Sequence, residues 1–199
     1  QAADYVRAYP DRIAILLSVE LCSLTWQRAD LSVANMIASG LFADGSAAVV
    51  VAGDQVKADG PEILGYRSTF YRNTEHLMGW DISEEGFQIV LSPEVPEAVH
   101  KNFPHDVDFF LAEYGMKRGD IGTWIMHTGG PKVLDACAES LGLERAAFAP
   151  SWECLRRAGN MSSASVLLVL EDFMQNHRPA HGTYSILAAV GPGFCSELV

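Results

Sequence analysis

The chain has 199 residues, of which 49% are hydrophobic and 10% aromatic. This is enough apolar material for one compact domain, or one and a half, and it excludes a disordered chain. The formal net charge of −11 argues against a general nucleic-acid-binding surface or an anionic-membrane surface.

Helical and strand patterns alternate in the first half of the chain. The Asp44-Gly45 turn separates a helix from a strand, and a polar stretch with Gly and Pro at 53–62 predicts a loop. The elements predicted here are a helix tail at 2–10, a buried strand at 13–19, a helix at 31–41, a buried strand at 47–52, and strand-like runs at 63–71 and 87–91.

The second half continues the alternation with clearer patterns. We predict helices at 97–114, 131–141 and 162–176, and strands at 123–127 and 182–190. Pro131 stands in the first turn of its helix, and Ser162 is a plausible cap for the next one. Strands that alternate with helices on both faces indicate a layered, mixed α/β sheet.

The cysteines and the apolar runs indicate the compartment. The four cysteines at 22, 137, 154 and 195 form neither a C-x-x-C pair nor a zinc spacing, which favours a reduced, cytoplasmic protein without a metal site. No apolar run approaches the roughly 18 residues that a membrane helix needs, so no membrane association is expected.

Three separated motifs carry the chemistry: His-Thr-Gly-Gly-Pro at 127–131, Gly-Asn-Met-Ser-Ser-Ala at 159–164, and Gly-Pro-Gly at 191–193. His127 ends an apolar strand, and Asn160 lies in a Gly-led turn before a helix. An imidazole N–H and a carboxamide N–H aimed at one oxygen would stabilise an enolate or oxyanion. Such chemistry needs donors rather than a strong base.

Each motif also has a purely structural interpretation. A lone His at a strand end is more often a structural hydrogen bonder, and Asn160 is also typical of a turn or an N-cap. The Gly-Pro-Gly run at 191–193 is typical of a plain loop between two strands. The ordered set of three motifs favours a functional interpretation.

Taken in order, these motifs resemble the C-terminal part of type III polyketide synthases, the chalcone and stilbene synthase family. Residues 18–25 and 41–48 are similar to the family's segments that follow its nucleophile, and residues 78–81 and 91–93 resemble bacterial alkylpyrone synthases. The resemblance implies a thiolase-like layered α/β fold. Residues 1–75 would be the remainder of its N-terminal half, and residues 76–199 its C-terminal domain.

The resemblance also implies an activity and a set of site residues. The expected enzyme condenses an acyl-coenzyme A starter with malonyl-coenzyme A, works as a homodimer and needs no cofactor beyond these thioester substrates. His127 and Asn160 would be catalytic. In the family, the positions expected to contact substrate correspond here to Cys22, Thr25, Phe42, Ile89, Ser162, Gly191, Pro192 and Gly193. Ala189-Val190 replaces the Gly-Phe that usually precedes the last three.

One departure from the family pattern concerns the nucleophile. The family's catalytic Cys opens a helix that ends just before the strand at 13–19, and none of the four cysteines occupies that place. Residues 1–199 alone are therefore expected to be an inactive fragment. Two alternatives stay open: a condensing enzyme like the initiating ketoacyl carrier-protein synthases, whose His is generally followed by Gln-Ala-Asn, and a non-catalytic thiolase-like fragment that dimerises or binds acyl chains.

Overall fold

The computed structural model describes residues 1–84 and 86–199. The sequence predicts a solvated face for the acidic pair Glu84 and Glu85, and Glu85 lies outside the described residues. The helices are α1 (Ala2–Ala8), α2 (Val33–Leu41), α3 (Val95–Glu113), α4 (Pro131–Leu141), α5 (Ala149–Ala158) and α6 (Ser163–Asn176). The strands are β1 (Ile13–Glu20), β2 (Gly45–Ala52), β3 (Arg67–Phe70), β4 (Met78–Ser83), β5 (Gly86–Leu91), β6 (Ile121–Met126), β7 (Tyr184–Gly191) and β8 (Cys195–Leu198).

A four-stranded sheet in the order β3-β8-β7-β6 organises most of the chain. β6 and β7 are parallel, whereas β8 pairs antiparallel with β7 and β3. The main apolar core includes residues from this sheet and from α3 and α4, with Phe103, Leu134, Phe148 and Ile186 fully buried. The predicted mixed α/β architecture is confirmed.

The sequence also explains where α4 begins and ends. Pro131 stands at its start, where the missing N–H costs no helical hydrogen bond, and Gly142 ends it in the left-handed conformation with φ 70°. The helix therefore starts directly after the Gly-Gly turn that follows His127. None of the described helices is both long and apolar enough to cross a membrane.

β1 and β2 form a separate antiparallel pair that α6 covers on one face. On the covered face, the hydroxyl oxygens of Ser18 and Ser163 are 2.6 Å apart. The opposite face is uncovered, and its β1 side chains, Ile13, Ile15, Leu17 and Val19, are 51% to 71% exposed. The prediction of two buried strands is therefore wrong for this chain, because an apolar run gives no information on which faces have a partner.

Other differences concern short elements. The strand predicted at 63–71 is confined to β3, and β4, α5 and β8 were not predicted. Ser162 precedes α6, but its side chain makes no capping hydrogen bond. The first turn of α6 is bound instead by Glu20 of β1, whose carboxylate accepts from the backbone N–H of Ser163 at 3.2 Å and from its hydroxyl. A carboxylate at a helix N-terminus is favourable because it faces unpaired N–H groups.

Candidate active site

His127 lies directly beyond the end of β6. Its backbone N–H donates to the carbonyl of Ala188 at 2.9 Å, which continues the pairing of β6 with β7 by one residue. Gly129 then donates its N–H back to the His127 carbonyl at 2.9 Å. The neighbouring Thr128 is fully buried and donates its hydroxyl to the Gly159 carbonyl at 3.2 Å. The His motif is therefore attached to the Asn motif through Thr128.

The imidazole of His127 is neutral near neutral pH. Although the residue keeps part of its surface accessible, burial among groups of low polarity lowers its pKa to about 4. A neutral imidazole carries one N–H donor and one acceptor nitrogen. The ring is thus suited to donate a hydrogen bond to a developing negative charge.

Asn160 is held by its backbone and by its side chain. It is 3% exposed and forms a parallel bridge with Phe42, in which its N–H donates to the Leu41 carbonyl at 2.8 Å and its carbonyl accepts from Ala43 at 2.9 Å. Its side-chain oxygen accepts from the Ser162 N–H at 2.8 Å. This bond directs the carboxamide NH₂ group to the opposite side.

Gly129 joins the two polar side chains. Asn160 Nδ2 donates to the Gly129 carbonyl at 3.5 Å, and a Cβ on Gly129 would lie 3.5 Å from Cδ2 of His127. The structure therefore brings His127 and Asn160 to the same turn, although 33 positions in the sequence separate them. Two N–H donors of neutral groups lie there on rigid backbone.

A cavity of about 250 Å³ is connected to this turn through Phe42, which lines the cavity and pairs with Asn160. Four of the residues predicted to contact substrate, Cys22, Thr25, Phe42 and Ile89, line it together. Phe42 is also the bridge partner of Asn160, so the cavity wall and the donor share one backbone contact. Burial raises the pKa of the Cys22 thiol, and the carboxylates of Glu20 and Asp44 raise it further, so this thiol stays protonated.

Sequence reasoning missed several lining residues. These are Ser23, Trp26, Asn35, Ala38, Ser39 and Trp80. Trp80 stands directly opposite Ile89 in the β4–β5 hairpin, so a period-two pattern traced from Ile89 across the turn could have found it. Among the described residues, no three His, Cys, Asp or Glu side chains are grouped as metal ligands would be.

The remaining predicted contact residues lie elsewhere. Ser162 stands before α6 with φ 50° and does not line this cavity. Gly191 ends β7, and Pro192 and Gly193 form the turn to β8, so they belong to a hairpin and do not line the cavity either.

The comparisons with known proteins decide the family. The C-terminal domain of chalcone and stilbene synthases matches residues 62–199. The chain belongs to the chalcone and stilbene synthase family. The family match begins in the loop before β3, and the boundary predicted at residue 75 stays a prediction.

Relatives in the chalcone and stilbene synthase family match almost the whole chain. It is 49% identical to 1,3,6,8-tetrahydroxynaphthalene synthase from Streptomyces peucetius, over 98% of this chain and 52% of that protein. It is 34% identical to the alpha-pyrone synthesis polyketide synthase-like Pks18 of Mycobacterium tuberculosis, over 98% of this chain and 51% of that protein. The chain thus spans about half the length of these relatives.

A solved member of the chalcone and stilbene synthase family shares the fold. The crystal structure of 1,3,6,8-tetrahydroxynaphthalene synthase from Streptomyces coelicolor, a bacterial type III polyketide synthase, superimposes with a TM-score of 0.93 at 32% identity. The superposition covers 99% of this chain and 56% of that one. The predicted thiolase-like fold is confirmed for the C-terminal half.

Gly159 gives the first prediction. It has φ 73° and ψ −157°, and a Cβ would lie 2.7 Å from the Leu41 carbonyl oxygen. We expect Gly159→Ala to lower the free energy of unfolding by at least about 3 kcal/mol, because a nearly Gly-only backbone region and a backbone clash act together. Gly142→Ala is the control, because Gly142 has a similar φ of 70° and a Cβ there would meet no atom within 4 Å. For this variant we expect a loss of only about 1 to 2 kcal/mol in the free energy of unfolding. Denaturant unfolding of both variants measures the difference, and equal losses would contradict it.

The low pKa of His127 gives a pH prediction. Between about pH 6.5 and 4 the unfolded chain binds a proton at this residue and the folded chain does not, so stability falls as pH falls through this window. His127→Gln removes this contribution. The stability of the wild type relative to the variant should therefore drop by about 1 to 3 kcal/mol from pH 7 to pH 4.5. Denaturant unfolding at both pH values measures this drop, and His181→Gln, in an exposed turn, is the control. If the difference in stability between the wild type and His127→Gln did not change with pH, the burial of His127 would be contradicted.

Proposed function

We propose that this chain is the C-terminal half of a type III polyketide synthase, an acyltransferase that extends an acyl-coenzyme A starter with malonyl-coenzyme A. The complete protein would carry out decarboxylative Claisen condensations and release a pyrone or a resorcinol. Membership of the chalcone and stilbene synthase family supports this proposal, as do relatives that are named as synthases of a tetrahydroxynaphthalene and of an alpha-pyrone.

The pair of neutral donors around Gly129 is the observation that carries the proposal. When a malonyl thioester loses CO₂, the electron pair of the broken carbon–carbon bond becomes an enolate, and negative charge develops on the thioester oxygen. Donors already aimed at that oxygen need no reorganisation during the reaction. The imidazole of His127 and Nδ2 of Asn160 would supply them, since hydrogen bonds hold the backbone of His127 and the carboxamide of Asn160 in place.

The enolate carbon would then attack the acyl group held as a thioester on a cysteine upstream of residue 1. The new carbon–carbon bond forms as the carbon–sulfur bond breaks, and the thiolate leaves. His127 would also pair with this thiolate. The low pKa of His127 in this chain is compatible with the pairing, because a thiolate beside the ring would raise the pKa again and favour the imidazolium.

The cavity lined by Cys22, Thr25, Phe42 and Ile89 is the proposed site for the growing polyketide. The turn that brings His127, Gly129 and Asn160 together is called the donor turn. Phe42 stands between this turn and the cavity, which suits a residue that separates the site of decarboxylation from the site of chain growth. Ser162 and the Gly191-Pro192-Gly193 turn are retained as proposed contributors to the same site in the complete protein. A homodimer, a cytoplasmic location and the absence of a cofactor are further parts of the proposal.

The family membership and the experiments below distinguish this proposal from the two alternatives that the sequence left open. Membership of the chalcone and stilbene synthase family sets aside a ketoacyl carrier-protein synthase of the initiating type. A non-catalytic fragment that dimerises or binds acyl chains is separated from the proposal by experiment.

Residues 1–199 alone should form no polyketide, because a site with decarboxylation donors and no acyl-accepting cysteine cannot complete a turnover. Purified chain incubated with malonyl- and acyl-coenzyme A, with products followed by mass spectrometry, measures this. Slow loss of CO₂ from malonyl-coenzyme A is compatible with the proposal. Polyketide formation would contradict the absence of the nucleophile, and an inactive complete protein would favour the non-catalytic alternative.

In the complete protein, His127→Ala and Asn160→Ala should each slow malonyl-coenzyme A decarboxylation by roughly 10² to 10³, the range for the loss of a preorganised donor. Asn102→Ala is the matched control. The Asn102 carboxamide also donates to a backbone carbonyl, that of Ala98 at 2.8 Å, but it lies on α3 outside the cavity lining. Release of ¹⁴CO₂ from labelled malonyl-coenzyme A measures the rates. A near-normal rate in either donor variant would show that the residue has been assigned wrongly.

A further inference from the structure

Asp106 is a carboxylate inside an apolar helix face. It lies in the middle of α3, is 5% exposed, and neighbours Phe103 and Val107 of the main core. A charge in such surroundings is costly unless it is hydrogen-bonded. Asp106 Oδ2 accepts from the Ser196 hydroxyl at 2.6 Å and from the Tyr71 hydroxyl, and Oδ1 is 4.0 Å from Nδ1 of the exposed His105. The carboxylate thus ties α3 to β8 and to the end of β3.

Well-packed apolar residues often stabilise a core as much as a buried charged group does, or more. Stability is therefore a weak reason for a carboxylate at this position. The carboxylate instead holds the hydroxyl groups of Tyr71 and Ser196 in fixed positions. These two hydroxyl oxygens also lie 3.2 Å from each other.

Tyr71 holds the turn between β7 and β8. Its ring stacks on Phe194 with the centroids 5.8 Å apart, and its backbone N–H donates to the Phe194 carbonyl at 3.0 Å. Thr74 adds to this contact, because its hydroxyl accepts from the Phe194 N–H at 3.0 Å and lies 3.3 Å from the Gly193 carbonyl. The turn is therefore held along one side by Tyr71, whose hydroxyl is bound to Asp106, and by Thr74, whose hydroxyl also lies 2.6 Å from the Tyr71 carbonyl.

On its other side the turn holds the β4–β5 hairpin. The Gly193 N–H donates to the carbonyl of Met78, the first residue of β4, at 3.0 Å. Among the described residues, this hairpin is a two-stranded sheet of its own, and no third strand pairs with it. Two residues along β4, Trp80 faces Ile89, and both line the cavity.

We propose that Asp106 is a positioning residue for the cavity: through Tyr71 and the Pro192–Phe194 turn it fixes the β4–β5 wall that carries Trp80 and Ile89. The inference rests on the proposed function, because it assigns this wall a role in shaping polyketide products. Asp106 touches neither the cavity nor the donor turn. Its loss should therefore change which products form and leave decarboxylation at His127 and Asn160 intact.

The experiment uses the complete protein and compares Asp106→Asn with Val107→Ala. The Asn variant has nearly the same shape, but its carboxamide no longer offers a charged acceptor to two hydroxyls. Val107 is the next residue of α3 and is fully buried, so its truncation lowers stability without touching the network. Tyr71→Phe keeps the ring stacked on Phe194 and removes only the hydroxyl, which provides a second variant if Asp106→Asn fails to fold.

The first measurement is the ratio of the hydrogen-exchange rate of the Gly193 amide to that of the Leu134 amide, which lies in the buried helix α4 and donates to the Gly130 carbonyl at 3.0 Å. In Asp106→Asn the ratio should rise about tenfold, the factor that corresponds to the loss of about one buried hydrogen bond. In Val107→Ala the exchange rates of both amides should rise by the same factor, so their ratio should stay at its wild-type value. An unchanged ratio in both Asp106→Asn and Tyr71→Phe would overturn the inference.

The second measurement is the ratio of full-length to prematurely released polyketides, with malonyl decarboxylation followed in parallel. Asp106→Asn should shift the product ratio at an unchanged decarboxylation rate, and Val107→Ala should leave the product ratio unchanged. If the wild type makes polyketides and the ratio does not shift in either network variant, this inference alone is overturned. If the wild type makes no polyketide, the proposed function fails, and the role in the cavity fails with it.

Discussion

The backbone bridge between Phe42 and Asn160 is the contact on which the candidate site depends. Two hydrogen bonds of 2.8 and 2.9 Å join the segment after α2 to the segment before α6, which 118 positions in the sequence separate. A parallel bridge fixes both the distance and the direction of the two chains. Because Phe42 lines the cavity and Asn160 carries the donor, the same two bonds set the cavity and the donor in one geometry.

The bridge forms only because the residues beside it are glycines, which have no side chain. Gly159 passes so close to Leu41 that a Cβ would meet the carbonyl oxygen, and a Cβ on Gly45 would lie 2.6 Å from the sulfur of Met161. The glycine before Asn160 is thus required by close approach as much as by its backbone angles. The position of Asn160 is therefore set by backbone contact rather than by side chains, which suits the donor role proposed for it.

The sequence predicted the long elements and both polar residues of the donor turn, since apolar periodicity and the Gly-flanked motifs are local signals. Other features depend on contacts between distant residues. β8 has four residues and is defined by its pairing with β3 and β7, and Trp80 becomes a cavity residue only through its partner in β5. The cap expected at Ser162 is absent because Glu20, from a strand 143 positions away from Ser163, binds that helix end instead. Asp106 follows Phe103 by three residues and precedes Phe110 by four, so helical spacing places it on the apolar face of α3, but only the fold shows that its carboxylate meets Tyr71 and Ser196.

The separation of the β4–β5 hairpin from the other sheets determines which parts of the site a substitution can alter independently. A strand inside a larger sheet is constrained by two neighbours, so a changed side chain disturbs both. In the described part of the chain β4 and β5 pair only with each other, and their residues Trp80 and Ile89 line the cavity without a contact to the β6 end that carries His127. Substitutions in β4 and β5 can therefore change the shape of the cavity wall while the backbone geometry around His127 and Asn160 stays the same.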